Sequence, residues 1–179
     1  MKRLLFPLIL FLLTILEGVA LDLLPTDLVM GNLLIVPHWV FAFLIYMVIF
    51  YDKDSTYHSV VYALIFGLLI DAVYTGILGV YMFSYALVIY IIHGLKKILH
   101  GNFYVLILLG IVGIFLADLL IYAIYTSVGL VDMALENYFL LRMLPTILSN
   151  LVFLIVIYPF TAKRLSRWGR EQLTGNSAL

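Results

Sequence analysis

The sequence has no cysteine, few charged residues and no net charge, and each scarcity excludes a class of protein. Because none of the 179 residues is Cys, disulfides, thiol catalysis and cysteine-ligated metal centres are excluded. Hydrophobic residues make up 65% and charged residues 11%, whereas soluble domains have about half and about a quarter. A soluble globular domain and a disordered chain are therefore excluded. Ten basic residues balance ten acidic ones, which argues against a nucleic-acid partner.

Enzyme signatures are also missing. The chain has no Gly-rich phosphate loop, no Gly-x-Ser-x-Gly elbow and no His-Glu-x-x-His helix. His38 follows Pro37 in an apolar stretch, and without a second His or a Cys beside it this pair indicates a helix kink more often than a metal ligand. The sequence predicts no enzyme activity, no cofactor and no bound metal.

What the chain does contain is a series of long apolar runs. About 20 residues in a helix cross the roughly 30 Å hydrocarbon core of a membrane. Six runs approach that length, at 4–21, 33–51, 59–74, 77–95, 103–125 and 143–162. We therefore predict an all-α polytopic membrane protein, with one transmembrane domain of six helices at 1–162 and a basic cytoplasmic tail at 163–179.

The distribution of basic residues predicts the orientation of these helices. Cytoplasmic loops of membrane proteins carry an excess of Lys and Arg. With both termini in the cytoplasm, Arg142 is the one basic residue on the outer side. The other nine lie in cytoplasmic segments: Lys2, Arg3, Lys53, Lys96, Lys97, Lys163, Arg164, Arg167 and Arg170.

The first run also has features of a secretory signal peptide. Basic residues precede it, and Gly18-Val19-Ala20 has the small-x-small pattern of a cleavage site. Cleavage would leave five helices in the same orientation. Glu17 beside the site and the five further runs favour a retained first helix.

Three acidic residues lie inside the predicted spans, where ionisable groups are rare and usually face the bundle interior. They are Glu17, Asp71 and Asp118, one on each outward-running helix. At about 1.5 Å per residue, each lies about 20 Å from the cytoplasmic boundary. The sequence therefore predicts a polar layer in the outer half of the membrane.

The inward-running helices carry polar residues near the same level. His38 lies near the start of the second run, and the sixth helix carries Arg142, Thr146 and Asn150 on one helical face. We expect a phenol such as Tyr74 beside Asp71, and Arg142 in an ion pair with Asp71 or Asp118. The layer would fix the packing, contact a ligand or partner, or conduct protons or cations, and the residues alone leave these roles open.

Two strings in the chain resemble the rod shape-determining MreD family of bacteria. The first helix contains Leu16-Glu17-Gly18, and residues 66–79 read FGLLIDAVYTGILG. The second string has the form Gly-x3-Asp-x2-Tyr-x-Gly-x2-Gly, which comprises Gly67, Asp71, Tyr74, Gly76 and Gly79. The resemblance covers nearly the whole chain, including its size and basic C-terminal end.

This resemblance implies a non-enzymatic component of the cell-wall elongation machinery in the bacterial cytoplasmic membrane. The expected partners are the bitopic protein MreC and, through it, MreB filaments and the elongation glycan polymerase and transpeptidase. The family is similar in fold to the substrate-binding subunits of energy-coupling-factor vitamin transporters. It has no agreed catalytic residues, so the matching positions are expected to be structural or partner-facing.

Two other functions compete with a membrane scaffold. A vitamin-binding subunit of an energy-coupling-factor transporter would use the polar layer as an outward-facing pocket. Its first helix typically carries Ala-x3-Ala-x3-Ala, whereas this chain has only Thr14-x3-Gly18. A secondary transporter would use the three acids, but the sequence shows no inverted repeat with broken helices.

Overall fold

The computed structural model describes residues 2–23 and 33–176, with the side chains of 4–20 and 33–171. Within these ranges the regular structure is entirely helical and forms six helices. They are α1 (Lys2–Leu23), α2 (Trp39–Phe50), α3 (His58–Ile70), α4 (Val80–Lys96), α5 (Phe103–Ser127) and α6 (Leu144–Asn176). A π-helical turn, Asp71–Thr75, extends α3, and a short helix, Leu135–Asn137, leads through the π-helical segment Tyr138–Met143 into α6.

Three of the helical stretches are long and apolar enough to cross a membrane: His58–Thr75, Phe103–Ser127 and Leu135–Glu171. Three shorter apolar helices accompany them: Leu4–Ala20, Trp39–Phe50 and Val80–Lys96. The prediction of an all-helical fold is thereby confirmed for the described residues, and the apolar helices are consistent with a membrane protein. That all six helices cross the bilayer remains a prediction.

The centre of the bundle is α2, which packs against each of the other five helices. Its sequence, WVFAFLIYMVIF, is apolar on every side, and a helix of that kind is stable when it is surrounded by other helices. Ten consecutive residues, 40–49, are buried. The core of the protein therefore lies around α2.

The start of α2 differs from the prediction. The second apolar run begins at residue 33, but residues 33–38 are not helical and α2 begins at Trp39. The predicted kink at Pro37 and His38 inside a helix is therefore wrong. A residue that precedes proline disfavours the helical conformation, and here the Pro-His pair comes immediately before the helix.

The last helix is longer than predicted. The apolar run was expected to end at Ala162, but α6 continues to Asn176 and has Pro159 inside it. Beyond Ala162 the helix remains packed on the bundle, because Leu165 is buried and the ring of Trp168 lies 5.5 Å from that of Phe6. The boundary predicted at 162 therefore falls inside a continuous helix.

Candidate functional site

The three intramembrane acids lie at the end of the bundle where α1, α3 and α5 finish, which we call the acid end. Glu17 is on α1, Asp71 directly follows α3, and Asp118 is on α5. All three are buried, with 5%, 0% and 0% of their surface exposed. Glu17 and Asp71 accept hydrogen bonds from backbone N–H groups at the beginning of the next helix along the chain, where such groups lack intrahelical acceptors. Asp118 instead contacts side chains.

Glu17 contacts the first turn of α2. Its Oε1 accepts a hydrogen bond from the backbone N–H of Val40 over 2.7 Å. His38 is the N-cap residue of α2, and its side chain makes no capping hydrogen bond. Because a buried N–H without an acceptor is costly, the carboxyl of Glu17 stabilises this helix start.

Asp71 performs the same role for α4 with more contacts. One carboxylate oxygen accepts hydrogen bonds from the backbone N–H groups of Gly79, over 2.8 Å, and Met82, over 3.1 Å. The other accepts the N–H of Tyr81 at 2.9 Å. All three contacts come from backbone donors, so this carboxylate closes the turn between α3 and α4.

The glycines of the 67–79 string allow this turn to form. A Cβ atom at Gly67 would lie 2.6 Å from the Cα atom of Met82, so α3 and α4 approach each other too closely for any side chain at this position. Gly76 and Gly79 have φ angles of 68° and 105°, in the region that favours glycine. The string therefore encodes a tight helical hairpin.

Tyr74, which was expected beside Asp71, contacts the first helix. Its hydroxyl donates to the backbone carbonyl of Thr14 on α1 over 2.8 Å. Its ring packs on Gly18, where an added Cβ would lie 2.5 Å from the phenol oxygen. The tyrosine of the string thus connects the hairpin to the first helix.

Asp118 is the centre of a larger cluster. Its Oδ2 accepts a hydrogen bond from the hydroxyl of Tyr138 over 2.7 Å, and its Oδ1 accepts one from Nη2 of Arg142 over 3.1 Å. Nε2 of His38 lies 3.5 Å from Oδ1, and Nδ1 of the same ring is hydrogen-bonded to the hydroxyl of Tyr85 at 2.8 Å. Arg142 therefore pairs with Asp118 and not with Asp71.

Asn150 and Thr146 hold the non-helical segment 33–38 on α6. The side chain of Asn150 accepts the N–H of His38 at 2.7 Å and donates to the carbonyl of Val36 at 2.8 Å. The hydroxyl of Thr146 accepts the N–H of Val36 at 3.1 Å. Non-helical backbone at membrane depth requires such partners inside the protein, and these two side chains supply them.

Comparison with known proteins identifies the family. The family model described as rod shape-determining protein MreD matches residues 2–167. The chain is also similar to the rod shape-determining protein MreD of Bacillus subtilis (strain 168), with 33% identity over 161 residues, which cover 89% of this chain and 92% of the relative. The chain belongs to the MreD family. The resemblance drawn from its sequence strings is confirmed.

No solved structure matches this MreD-family chain. The likeness of its fold to the substrate-binding subunits of energy-coupling-factor transporters therefore stays a prediction.

The structure brings some predicted site residues together and separates others. His38, Asp118, Arg142 and Asn150 form one connected group around the start of α2. Asp71 belongs to the hairpin of α3 and α4, and Glu17 contacts the first turn of α2 through the N–H of Val40. Two of the acids, Glu17 and Asp71, therefore contact helix starts, and the third, Asp118, is the centre of a side-chain cluster.

Sequence reasoning missed two contributors in this MreD-family chain. Tyr138 lies between the fifth and sixth apolar runs and was not singled out, although its spacing of four residues from Arg142 is that of one helical face. Asp52, at the opposite end of the bundle, accepts the N–H of Ser59 at 3.0 Å and also its hydroxyl, which stabilises the start of α3. Lys96 donates to the backbone carbonyl of Asp52.

Proposed function

We propose that this protein is a non-enzymatic integral membrane component of the bacterial cell-wall elongation machinery, which binds MreC and helps to maintain rod cell shape. The observation that carries the proposal is the match to the MreD family over residues 2–167. The relative in Bacillus subtilis, similar over most of both chains, is named a rod shape-determining protein. Through MreC, the protein would act with MreB filaments and with the glycan polymerase and transpeptidase.

The proposed topology has six membrane crossings and both termini in the cytoplasm. Nine of the ten basic residues then lie on the cytoplasmic side. The acid end would face outward, and Arg142, the one basic residue there, is paired with Asp118. The central helix α2 has 12 residues, which is about 18 Å of helix. Segment 33–38, which Thr146 and Asn150 hold on α6, would complete its crossing.

A structural role for the acids supports the non-enzymatic part of the proposal. The contacts of Glu17 and Asp71 are to backbone N–H groups, and those of Asp118 are to side chains of the same bundle. Such contacts fix each outward helix to the next inward one. A rigid bundle of this kind would present a constant surface to a partner helix in the membrane.

Copurification tests this function against the vitamin-transporter alternative. We expect the tagged protein, solubilised from its own host in a mild detergent, to retain MreC in a near-stoichiometric complex. We also expect no saturable thermal stabilisation of the purified protein by vitamins. Loss of MreC from the complex, together with tight vitamin binding, would contradict the proposal.

A matched variant makes the copurification more informative. Gly94 lies on α4, and an added Cβ there would meet no atom within 4 Å. The variant Gly94→Ala is therefore expected to retain MreC as the wild type does, which controls for handling of a mutated membrane protein.

A further inference from the structure

A basic cleft lies on α6 where its apolar part ends. It is lined by Phe160, Lys163, Arg164, Arg167 and Trp168 and has a volume of about 270 Å³. These positions are spaced i, i+3, i+4, i+7 and i+8, so they share one face of the helix. We call this feature the α6 cleft.

The α6 cleft is held in a fixed position by packing behind it. Leu165, on the opposite face, is 2% exposed, and Trp168 packs edge-on against Phe6. At Gly169 the helix passes so close to the end of α2 that an added Cβ would lie 3.1 Å from the carbonyl oxygens of Phe50 and Tyr51. The three basic side chains therefore project from a helix that is already ordered.

The salt bridges found among the described side chains do not involve the basic residues of the α6 cleft. Lys163, Arg164 and Arg167 are exposed. The salt bridges found across residues 4–20 and 33–171 involve Asp52 and Asp118, and none reaches these three side chains. Three adjacent cations repel one another, and the planar guanidinium groups of arginine match the geometry of phosphate oxygens. The charge of the cleft is complementary to a phosphate group.

The surface next to the α6 cleft indicates which kind of molecule would carry the phosphate group. Val152, Val156 and Phe160 continue the same helical face toward the middle of the bundle and are 62%, 60% and 77% exposed. In a membrane this apolar stripe faces lipid chains, and it leads directly to the basic residues. An apolar stripe that ends in cations matches a molecule with acyl chains and an anionic head, and a soluble phosphate would not use the stripe.

We propose that the α6 cleft binds the phosphate of an anionic phospholipid headgroup, with the acyl chains along the Val152–Val156–Phe160 stripe. Trp168 forms a wall of the site, at the level where aromatic residues meet the membrane interface. The inference rests on the proposed topology, which places this end of α6 at the cytoplasmic leaflet. Basic pockets at that leaflet recognise anionic headgroups through such charge clusters.

Lipid titration of the purified full-length protein tests the proposal. We expect phosphatidylglycerol, added to the protein in a neutral detergent, to raise the melting temperature saturably and to remain bound in native mass spectrometry. Phosphatidylcholine should do neither. The variant K163Q/R164Q/R167Q should raise the half-saturating phosphatidylglycerol concentration on the order of a hundredfold, because each basic residue near an anionic headgroup contributes to binding.

A second triple variant, K53Q/K97Q/R170Q, is the matched control. It removes the same charge from the same end of the bundle, at positions that line two other clefts, and it should bind phosphatidylglycerol as the wild type does. Equal weakening in both variants, or equal stabilisation by phosphatidylcholine, would overturn the proposal. Stabilisation by inorganic phosphate at the same concentrations would also overturn it and would assign the cleft to free phosphate.

This result is separable from the test of the proposed function. Lipid binding is measured on the purified protein without MreC, and MreC retention is measured without added lipid. Loss of lipid selectivity with MreC retained would overturn the lipid site alone. Loss of MreC with lipid selectivity retained would contradict the scaffold function alone.

Discussion

Replacing Asp118 with Asn is expected to lower the free energy of unfolding by about 3–5 kcal/mol, because it leaves a largely buried charge without its partner. The carboxylate of Asp118 holds Nη2 of Arg142 at 3.1 Å and the hydroxyl of Tyr138 at 2.7 Å. The side chain of Arg142 is 17% exposed, so water replaces little of the lost contact. Unfolding of the purified protein in mild detergent measures the effect.

A double-mutant cycle isolates the Asp118–Arg142 pair. Removing Arg142 alone, as Arg142→Gln, leaves the carboxylate of Asp118 buried without its cation and should also be strongly destabilising. The double variant Asp118→Asn/Arg142→Gln should lose less stability than the sum of the two single variants, because no unpaired charge remains. If the loss of stability in the double variant equals the sum of the two single losses to within about 0.5 kcal/mol, the two side chains are not coupled.

Adding one methyl group at Gly67 is expected to produce the second large effect. In Gly67→Ala the new Cβ would lie 2.6 Å from Cα and 2.8 Å from the backbone nitrogen of Met82. Because both are backbone atoms, α3 and α4 must separate, and the hydrogen bond from Met82 to Asp71 is lengthened. Overpacking of this kind costs about 1–3 kcal/mol or more, which a lower melting temperature and reduced accumulation in membranes would report.

Gly94→Ala is the matched control, since it makes the same change on the same pair of helices. An added Cβ at Gly94 has no atom within 4 Å, and alanine favours a helix over glycine by about 1 kcal/mol. Gly94→Ala should therefore be as stable as the wild type or slightly more stable. Equal losses in both variants would show that the close approach of α3 and α4 is not what requires glycine at 67.

Much of the hairpin could be predicted from the sequence because its features are local. The order of Gly67, Asp71, Gly76 and Gly79 places a small residue, an acid and two flexible positions within 13 residues, and the structure uses each of them in one turn. The spacing also predicted a common depth for the three acids. It did not predict the partners of Glu17 and Asp71, because backbone N–H groups of a neighbouring helix have no residue-specific signal in a sequence.

The start of α2 could not be predicted for a different reason. Residues 33–38 are as apolar as a membrane helix, so hydropathy alone extends the helix through them. What holds them outside it is a set of contacts with Thr146 and Asn150, more than 100 residues away along the chain. Similarly, the pairing of Tyr138 with Asp118 depends on the π-helical segment that brings residues 138–143 over α5.

These contacts show how the bundle uses its three buried acids. Glu17 joins α1 to the start of α2, Asp71 joins α3 to the start of α4, and Asp118 joins α5 to the segment that leads into α6. In the proposed function, this arrangement keeps six helices in a fixed relation while the outer surfaces of the bundle meet partners and lipid.

The most direct test of the central proposal is the width of cells of the protein's own host as the protein is depleted. We predict that rods widen and become round over a few generations, and that both the wild type and Gly94→Ala restore the original width when expressed again. Cells that keep their length, width and rod shape after the protein has disappeared from the membrane would contradict a role in shape determination.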